Sequence, residues 1–228
     1  MNRNTSSDGL SLIELLMAMT ISLTIIAAVY QLSFSQHRSY RKQDQVVETR
    51  QNVRAIMALI TQTLQLAGYD PTGRANTGLV ASFAPPHDSF TIDYENEHDI
   101  VAFTLDENGD ATVDTDNAEQ IAFRLNNGTL ERYSSQNAAR EMIAPNIDAL
   151  DFVFLDDTGT KTTDPAEFRA VQIALLVRAT KQDNQYQDTK VYTNKQGDLI
   201  CPSCPNDHFR RRLLTTTIEL RNLGLWVF

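Results

Sequence analysis

Basic residues are in deficit: 20 Lys and Arg stand against 29 Asp and Glu among 228 residues, a formal net charge of −9. A nucleic-acid partner needs a basic face that displaces counterions from phosphates, and this balance argues against one. Cysteine is nearly absent. Cys201 and Cys204, both in "CPSCP", are too few for a disulfide-dense scaffold, so a packed core must supply most of the stability. Between Gly9 and Gly68 neither Gly nor Pro occurs, and nothing there interrupts a helix. Signatures of catalysis are missing as well: there is no GxSxG, HExxH, P-loop or GxGxxG, and His37, His87, His98 and His208 are scattered. No enzymatic activity is expected. The length suits one globular domain plus an appendage.

What the chain does have, at its start, is "DGLSLIELLMAMTISLTIIAAVYQLSF". From Leu10 to Phe34 the ionisable side chains are Glu14 and the near-neutral Tyr30. About 20 apolar residues cross the hydrocarbon layer as a helix, so this run can span. A secretory signal peptide would have a basic leader and a shorter apolar core. Here the leader carries one base, Arg3, and one acid, Asp8, and Glu14 interrupts the apolar start. A plain anchor has no use for that carboxylate, because ionisable groups in membranes are costly and mark a function with a specific partner.

"G-L-S-L-I-E" resembles the type IV prepilin signature: a short polar leader ending in Gly, an apolar residue, and Glu at the fifth mature place. The resemblance implies cleavage by prepilin peptidase between Gly9 and Leu10, N-methylation of Leu10, and pairing of Glu14 with the terminal ammonium of a neighbouring subunit. Leu10 stands where the family usually has Phe, and Gln31 stands where many major pilins have a helix-kinking Pro, so a straighter helix is expected. The positive-inside count opposes this orientation, with Arg3 on one side and Arg38, Arg41 and Lys42 on the other. The processing signature overrides it, since prepilins present their leader to a peptidase on the cytoplasmic face.

Beyond Phe34, Val46, Val53, Met57, Ile60, Leu64 and Ala67 form the one-sided stripe of an amphipathic helix. Gly68 and then "YDPTG" supply the stop. A helix over residues 10–67 would run about 87 Å at ~1.5 Å per residue. Period-two patterns follow: "SFTIDY" with Phe90, Ile92 and Tyr94, then "DIVAFTL". "QIAFRLNNGTLERYS" reads as a hairpin turning at Asn127-Gly128. "ALDFVFLDDTG" places Leu150, Phe152 and Phe154 on one face. "RAVQIALLVRAT" does the same with Val171, Ile173, Leu175 and Val177. "RRRLLTTTIELRNL" aligns Leu214, Thr216, Ile218 and Leu220. About six strands are expected in an antiparallel sheet resting on the helix, an α+β architecture. The expected divisions are a leader over 1–9, a membrane-spanning assembly helix over 10–34, its amphipathic continuation over 35–68, and a β-rich domain over 69–228.

Three side-chain groups invite chemical readings. Eleven acids and neither Lys nor Arg occupy residues 75–123. Within them Asp106, Asn108, Asp110, Asp114 and Asp116 offer alternating oxygen ligands of the kind that wrap Ca²⁺. An EF-hand would need Gly and Glu where Ala111 and Asn117 stand, so the plainer expectation is a solvated acidic loop. In "CPSCP" the prolines describe a loop rather than a strand-to-helix redox motif. A small-ring disulfide between Cys201 and Cys204 is the favoured reading, with a free thiol pair or a metal half-site near Asp207 and His208 as alternatives. Arg210, Arg211 and Arg212 read as a solvated strand end, or as a patch docking to an acidic face.

The succession "FRLNNGTLER", "IDALDFVFLD", "RAVQIALLVRA", "FRRRLLTTTIELRNL" resembles the PilW class of minor pilins, related to the J-type pseudopilins of type II secretion. It implies a pilin-like fold and a structural role without cofactor: a minor subunit aiding the priming of a type IV pilus, at or near its tip. The implied partners are major and minor pilins through the N-terminal helix, prepilin peptidase, and the inner membrane before assembly. The globular domain would be periplasmic first and on the cell-surface pilus later. The alternatives are a J-type pseudopilin and a membrane-tethered, calcium-dependent binding module that never polymerises.

Overall fold

A computed structural model describes residues 11–81, 83, 92–137, 139–204 and 206–223. The chain divides into two units, Met1–Gln45 and Val46–Phe228, and one helix, α1 (Leu12–Leu64), contributes to both. Without a Gly or Pro to break it, α1 continues until residues 65–68 close into turns and Gly68 adopts φ +77°. Gly68 then donates its N–H to the carbonyl of Thr104 at 3.0 Å, which ties the helix end to a strand.

In the first unit the helix is an apolar stretch over Leu12–His37, with mean hydropathy 2.3 and none of it buried. Leu12, Leu23, Ile26 and Tyr30 are among its exposed side chains.

In the second unit the expected stripe points inward. Val53, Met57, Ile60, Leu64 and Ala67 are buried, joined by Ile56, while Val46 is half-buried. The strands are β1 (Ile100–Thr104), β2 (Gln120–Asn126), β3 (Thr129–Ser134), β4 (Ala139–Pro145), β5 (Ile147–Leu155), β6 (Ala170–Arg178) and β7 (Arg211–Glu219). They form two antiparallel sheets, β1-β2-β3-β4 and β5-β6-β7, where one sheet was expected. The β2–β3 turn is made by Asn127 (φ +47°) and Gly128 (φ +75°), the paired left-handed conformation of a tight hairpin. One core collects the helix stripe, Phe103, Ile121, Phe123 and Leu130 from the first sheet, and Phe152, Val171, Ile173 and Leu175 from the second. Each such side chain contributes roughly 1.5–3 kcal/mol by leaving water.

Two expectations fail locally. The "SFTIDY" strand does not form over its described part: Ile92 and Tyr94 are buried, but residues 94–96 are a turn. Phe90 lies outside the described residues. Tyr94 sets its ring edge-on to Phe154 (5.1 Å) and Phe168 (5.4 Å) and donates its hydroxyl to the Val80 carbonyl at 2.7 Å. Packing, rather than strand pairing, uses those apolar residues. Strand β4, "AREMIAP", went unforeseen because its residues lack period-two alternation.

The second sheet is covered on both faces. Along β6, Leu175 joins the main core while Leu176 joins a smaller cluster with Ala149, Tyr192, Cys201 and Cys204. Residues 179–210, between β6 and β7, supply that outer layer.

Candidate functional site

The residues singled out at the N-terminus divide at residue 11. Gly9 and Leu10 lie outside the described residues. Glu14 stands exposed in the first turn of α1. Ser11 donates its backbone N–H to Glu14 Oε2 at 3.2 Å, and Leu15 donates to the Ser11 carbonyl at 3.2 Å. This is half of an S-x-x-E capping box, in which an acid at the third helical position reaches back to the N-cap amide. The spacing "SLIE" carried that signal, and sequence reasoning passed over it. Glu14 therefore has a local task, satisfying an orphan amide at the positive end of the helix dipole. Among the described residues, one amide engages one oxygen. A carboxylate offers about four acceptor sites, so a second donor can be accommodated. Further along the apolar stretch, Thr20 and Thr24 return their hydroxyls to the carbonyls of Met17 (2.9 Å) and Ile21 (2.7 Å), the arrangement hydrocarbon demands.

The acidic segment is a loop with Glu107, Asp110 and Asp116 exposed, as expected, but it is anchored at both ends by acids that are not solvated. Asp106 and Glu119 are fully buried. Asp106 accepts backbone N–H groups from Gly109 (2.6 Å) and Ala111 (3.0 Å), and Ala111 is held at φ +70°. Glu119 accepts from the amides of Glu107 (3.1 Å) and Asp114 (2.7 Å). Asn108 bridges the carboxylates of Asp110 (3.1 Å) and Asp114 (3.2 Å). Asp116 is exposed at the edge of the segment. Among the described residues no group of three or more His, Cys, Asp or Glu is arranged to hold a metal ion. Asp70 works like Asp106. Burial raises its pKa, but hydrogen bonds from the Thr72 hydroxyl and from the amides of Ala75, Thr72 and Gly73 outweigh that, and the net shift is downward.

Cys201 and Cys204 are joined as a disulfide with Cα atoms 5.4 Å apart, and both are buried against Leu176 and Tyr192. The Arg210–Arg212 patch divides, with one arginine solvated and two paired within the chain. Arg212 is exposed, whereas the side chain of Arg211 is only 2% exposed. Its guanidinium meets Asp148 (2.6 Å), Asp188 (3.0 Å) and Asp207 (2.5 Å). Asp188 also accepts the hydroxyls of Tyr186 (3.1 Å) and Tyr192 (2.8 Å). Arg210 pairs with Asp183 at 2.9 Å and lies over the Tyr186 ring. Alternation along β7 turns Arg211 outward from the main core, where residues 179–210 deliver two of its three acids. Strand pattern alone could not disclose those partners, because they come from a loop without periodicity.

A groove of about 440 Å³ lies between the helix and the ends of β4 and β6. Among the described residues its lining includes Asn52, Leu59, Pro145 and Arg178, with Glu48 as its one acid, and these offer no paired acid and base for proton transfer.

The model of a family described as "Prepilin peptidase-dependent protein B" matches residues 42–195, about two thirds of the chain. The match begins after the apolar stretch and so does not rest on the leader. No curated protein matches the chain. Among solved structures, the chain is similar to a type IV-like pilin, TTHA1219 from Thermus thermophilus, at 14% identity. That likeness covers 77% of this chain and 98% of the other, with a TM-score of 0.48.

Proposed function

The chain belongs to the prepilin peptidase-dependent protein B family, and on that premise we propose that it is a PilW-like minor pilin. Prepilin peptidase cuts between Gly9 and Leu10 and methylates the new amine, and the processed helix enters a type IV pilus at or near the tip. The observation that carries this is Glu14, an acid in the first turn of a helix that has no other charged side chain as far as Phe34. Within a bundle of such helices, the carboxylate keeps its bond from the Ser11 amide and meets the methylated ammonium of a neighbouring Leu10. Each charge then offsets part of the other's desolvation, and an unmatched one is penalised by several kcal/mol. The pair fixes the axial register between subunits. The order of strand motifs from "FRLNNGTLER" to "FRRRLLTTTIELRNL" supports the PilW-like assignment, and the peptidase's cytoplasmic action supports a periplasmic second unit.

Intact mass and N-terminal sequencing of the protein recovered from cells test the first step. The expected product lacks residues 1–9 and carries one added methyl on Leu10. A protein that keeps Met1 removes the proposal's foundation.

A further inference from the structure

The loop between β6 and β7 carries a short hairpin over residues 193–199. Thr193 and Leu199 bridge antiparallel, Asn194 donates its amide to the Asp198 carbonyl at 3.0 Å, and Gly197 turns the tip at φ +94°. Its ends are anchored. Ile200 donates to the Tyr192 carbonyl at 3.0 Å, and Tyr192 and Cys201 are buried in the smaller cluster. The tip, at Lys195, Gln196 and Gly197, is exposed.

Three contacts latch that tip to one face of the second sheet. Asn194 Nδ2 donates to Asp151 of β5 at 3.1 Å, the Lys195 amide to Gln172 Oε1 of β6 at 3.3 Å, and the Lys195 ammonium to Thr217 of β7 at 2.9 Å. Strand register puts all three partners together. Val153 pairs with Gln172, Gln172 pairs with Thr217, and Asp151 lies two residues from Val153, so they share the face turned from the main core.

The Asn194 contact differs from the other two. Its Nδ2 also donates to Asp198 Oδ2 at 3.1 Å, so one amide group bridges two carboxylates. Asp198 is exposed, whereas Asp151 is only 7% exposed. Burial raises the pKa of Asp151, and the charge of Asp198 adds to that; the Asn194 bond and the charges of His98 and Lys161 oppose it, and the net shift is upward. On the same face of β6 and β7, Gln172, Ala174, Thr215 and Thr217 bring no charge.

We infer that residues 193–199 form a strap latched by pH: it lies closed on the sheet while Asp151 is protonated, and ionisation of Asp151 favours lifting of the tip. Lifting returns water to the ionised carboxylate and separates it from Asp198. A carboxyl whose pKa is raised in the closed form holds its proton more tightly there. The closed form is therefore fully favoured below the ordinary value, near 3.9, and loses ground as pH rises through the raised one. The inference goes beyond the pilin reading and does not depend on it.

Hydrogen exchange of the full chain in detergent micelles, read as protection factors at about pH 4.5 and about pH 8, tests the latch. Protection of the Lys195 amide should fall at least ~3-fold from the lower pH to the higher, while the amides of β6 keep theirs. Asp151→Asn, with unchanged far-UV circular dichroism, should hold the Lys195 amide at its acid value at both pH values. His98→Gln should leave the fall in place, because the histidine is a neighbour and not the switch. Equal protection at the two pH values overturns the inference. So does a fall that persists in Asp151→Asn, one that vanishes in His98→Gln, or one shared equally by β6.

Discussion

The acids of the two units are held in opposite ways. In the second unit, Asp106, Glu119 and Asp188 are buried, and the chain itself supplies their donors: backbone amides for the first two, Arg211 and two tyrosines for the third. In the first unit Glu14 is exposed, and among the described residues it accepts one amide, 3.2 Å away, from its own turn. A carboxylate whose donors are all internal stabilises a loop and asks nothing of a partner. One standing at the head of an apolar helix has its remaining acceptor capacity turned outward. Acidity alone therefore says little about function; what matters is where the donors come from.

Breaking the strongest internal arrangement has the largest expected effect. Arg211→Met leaves Asp148, Asp188 and Asp207 without their shared cation, and loss of one partner from a buried ion network costs about 3–5 kcal/mol. Urea unfolding should register that loss, and proteolysis should enter residues 179–210 first. The disulfide holds the same loop, and opening so small a ring with Cys201→Ala and Cys204→Ala should cost roughly 2 kcal/mol on a chain-entropy basis.

Acid acts on the network in a fixed direction. Burial raises the pKa of Asp188, but hydrogen bonds from Arg211, Tyr192, the Lys190 amide and Tyr186 outweigh it, and the net shift is downward. In Asp207 the bond from Arg211 leads, and the net shift is again downward. Carboxylates with depressed folded pKa values contribute stability that is present above the unfolded value, near 3.9, and lost as pH falls through the folded value. Near-ultraviolet circular dichroism of Tyr186 and Tyr192 should stay constant from neutrality to about pH 4 and collapse only below it.

Asp151 sharpens the comparison from the other side. It is buried on β5, and burial raises its pKa despite the bond from the Asn194 amide at 3.1 Å. A raised value favours the protonated form, so this acid costs stability as pH rises through the folded pKa. Asp151→Asn removes the charge and keeps an acceptor for Asn194. The expected gain is about 1 kcal/mol at neutral pH, vanishing in acid, read from melting temperatures at the two pH values.

Much of the fold is legible in the residues themselves. The helix stripe from Val53 to Ala67, the Asn127-Gly128 hairpin and the faces of β5 and β6 follow directly from period and turn chemistry. Strand β4 and the split into two sheets do not, because pairing partners depend on tertiary contacts that periodicity does not encode. The roles of Arg211 and Asp106 are illegible for a related reason: charged side chains read as solvated until their donors, distant in sequence or in the backbone, are placed beside them. The N-terminal signature carried two messages in one motif. "GLSLIE" points to processing, and its inner "SLIE" to a capping box.

Those two roles of Glu14 separate cleanly. Glutamine retains the reach to the Ser11 amide, as capping boxes accept either residue, but it has no charge for an ammonium. The decisive measurement is the amount of mature chain in sheared pili from cells carrying Glu14→Gln, with Glu14→Ala beside it. If the charge is what a neighbouring subunit meets, both variants should be processed normally and fall together by about 100-fold or more, the scale of losing one partner of a buried pair. If Glu14→Gln enters filaments at the wild-type level while Glu14→Ala does not, capping is the residue's whole task, and charge-matched assembly is contradicted.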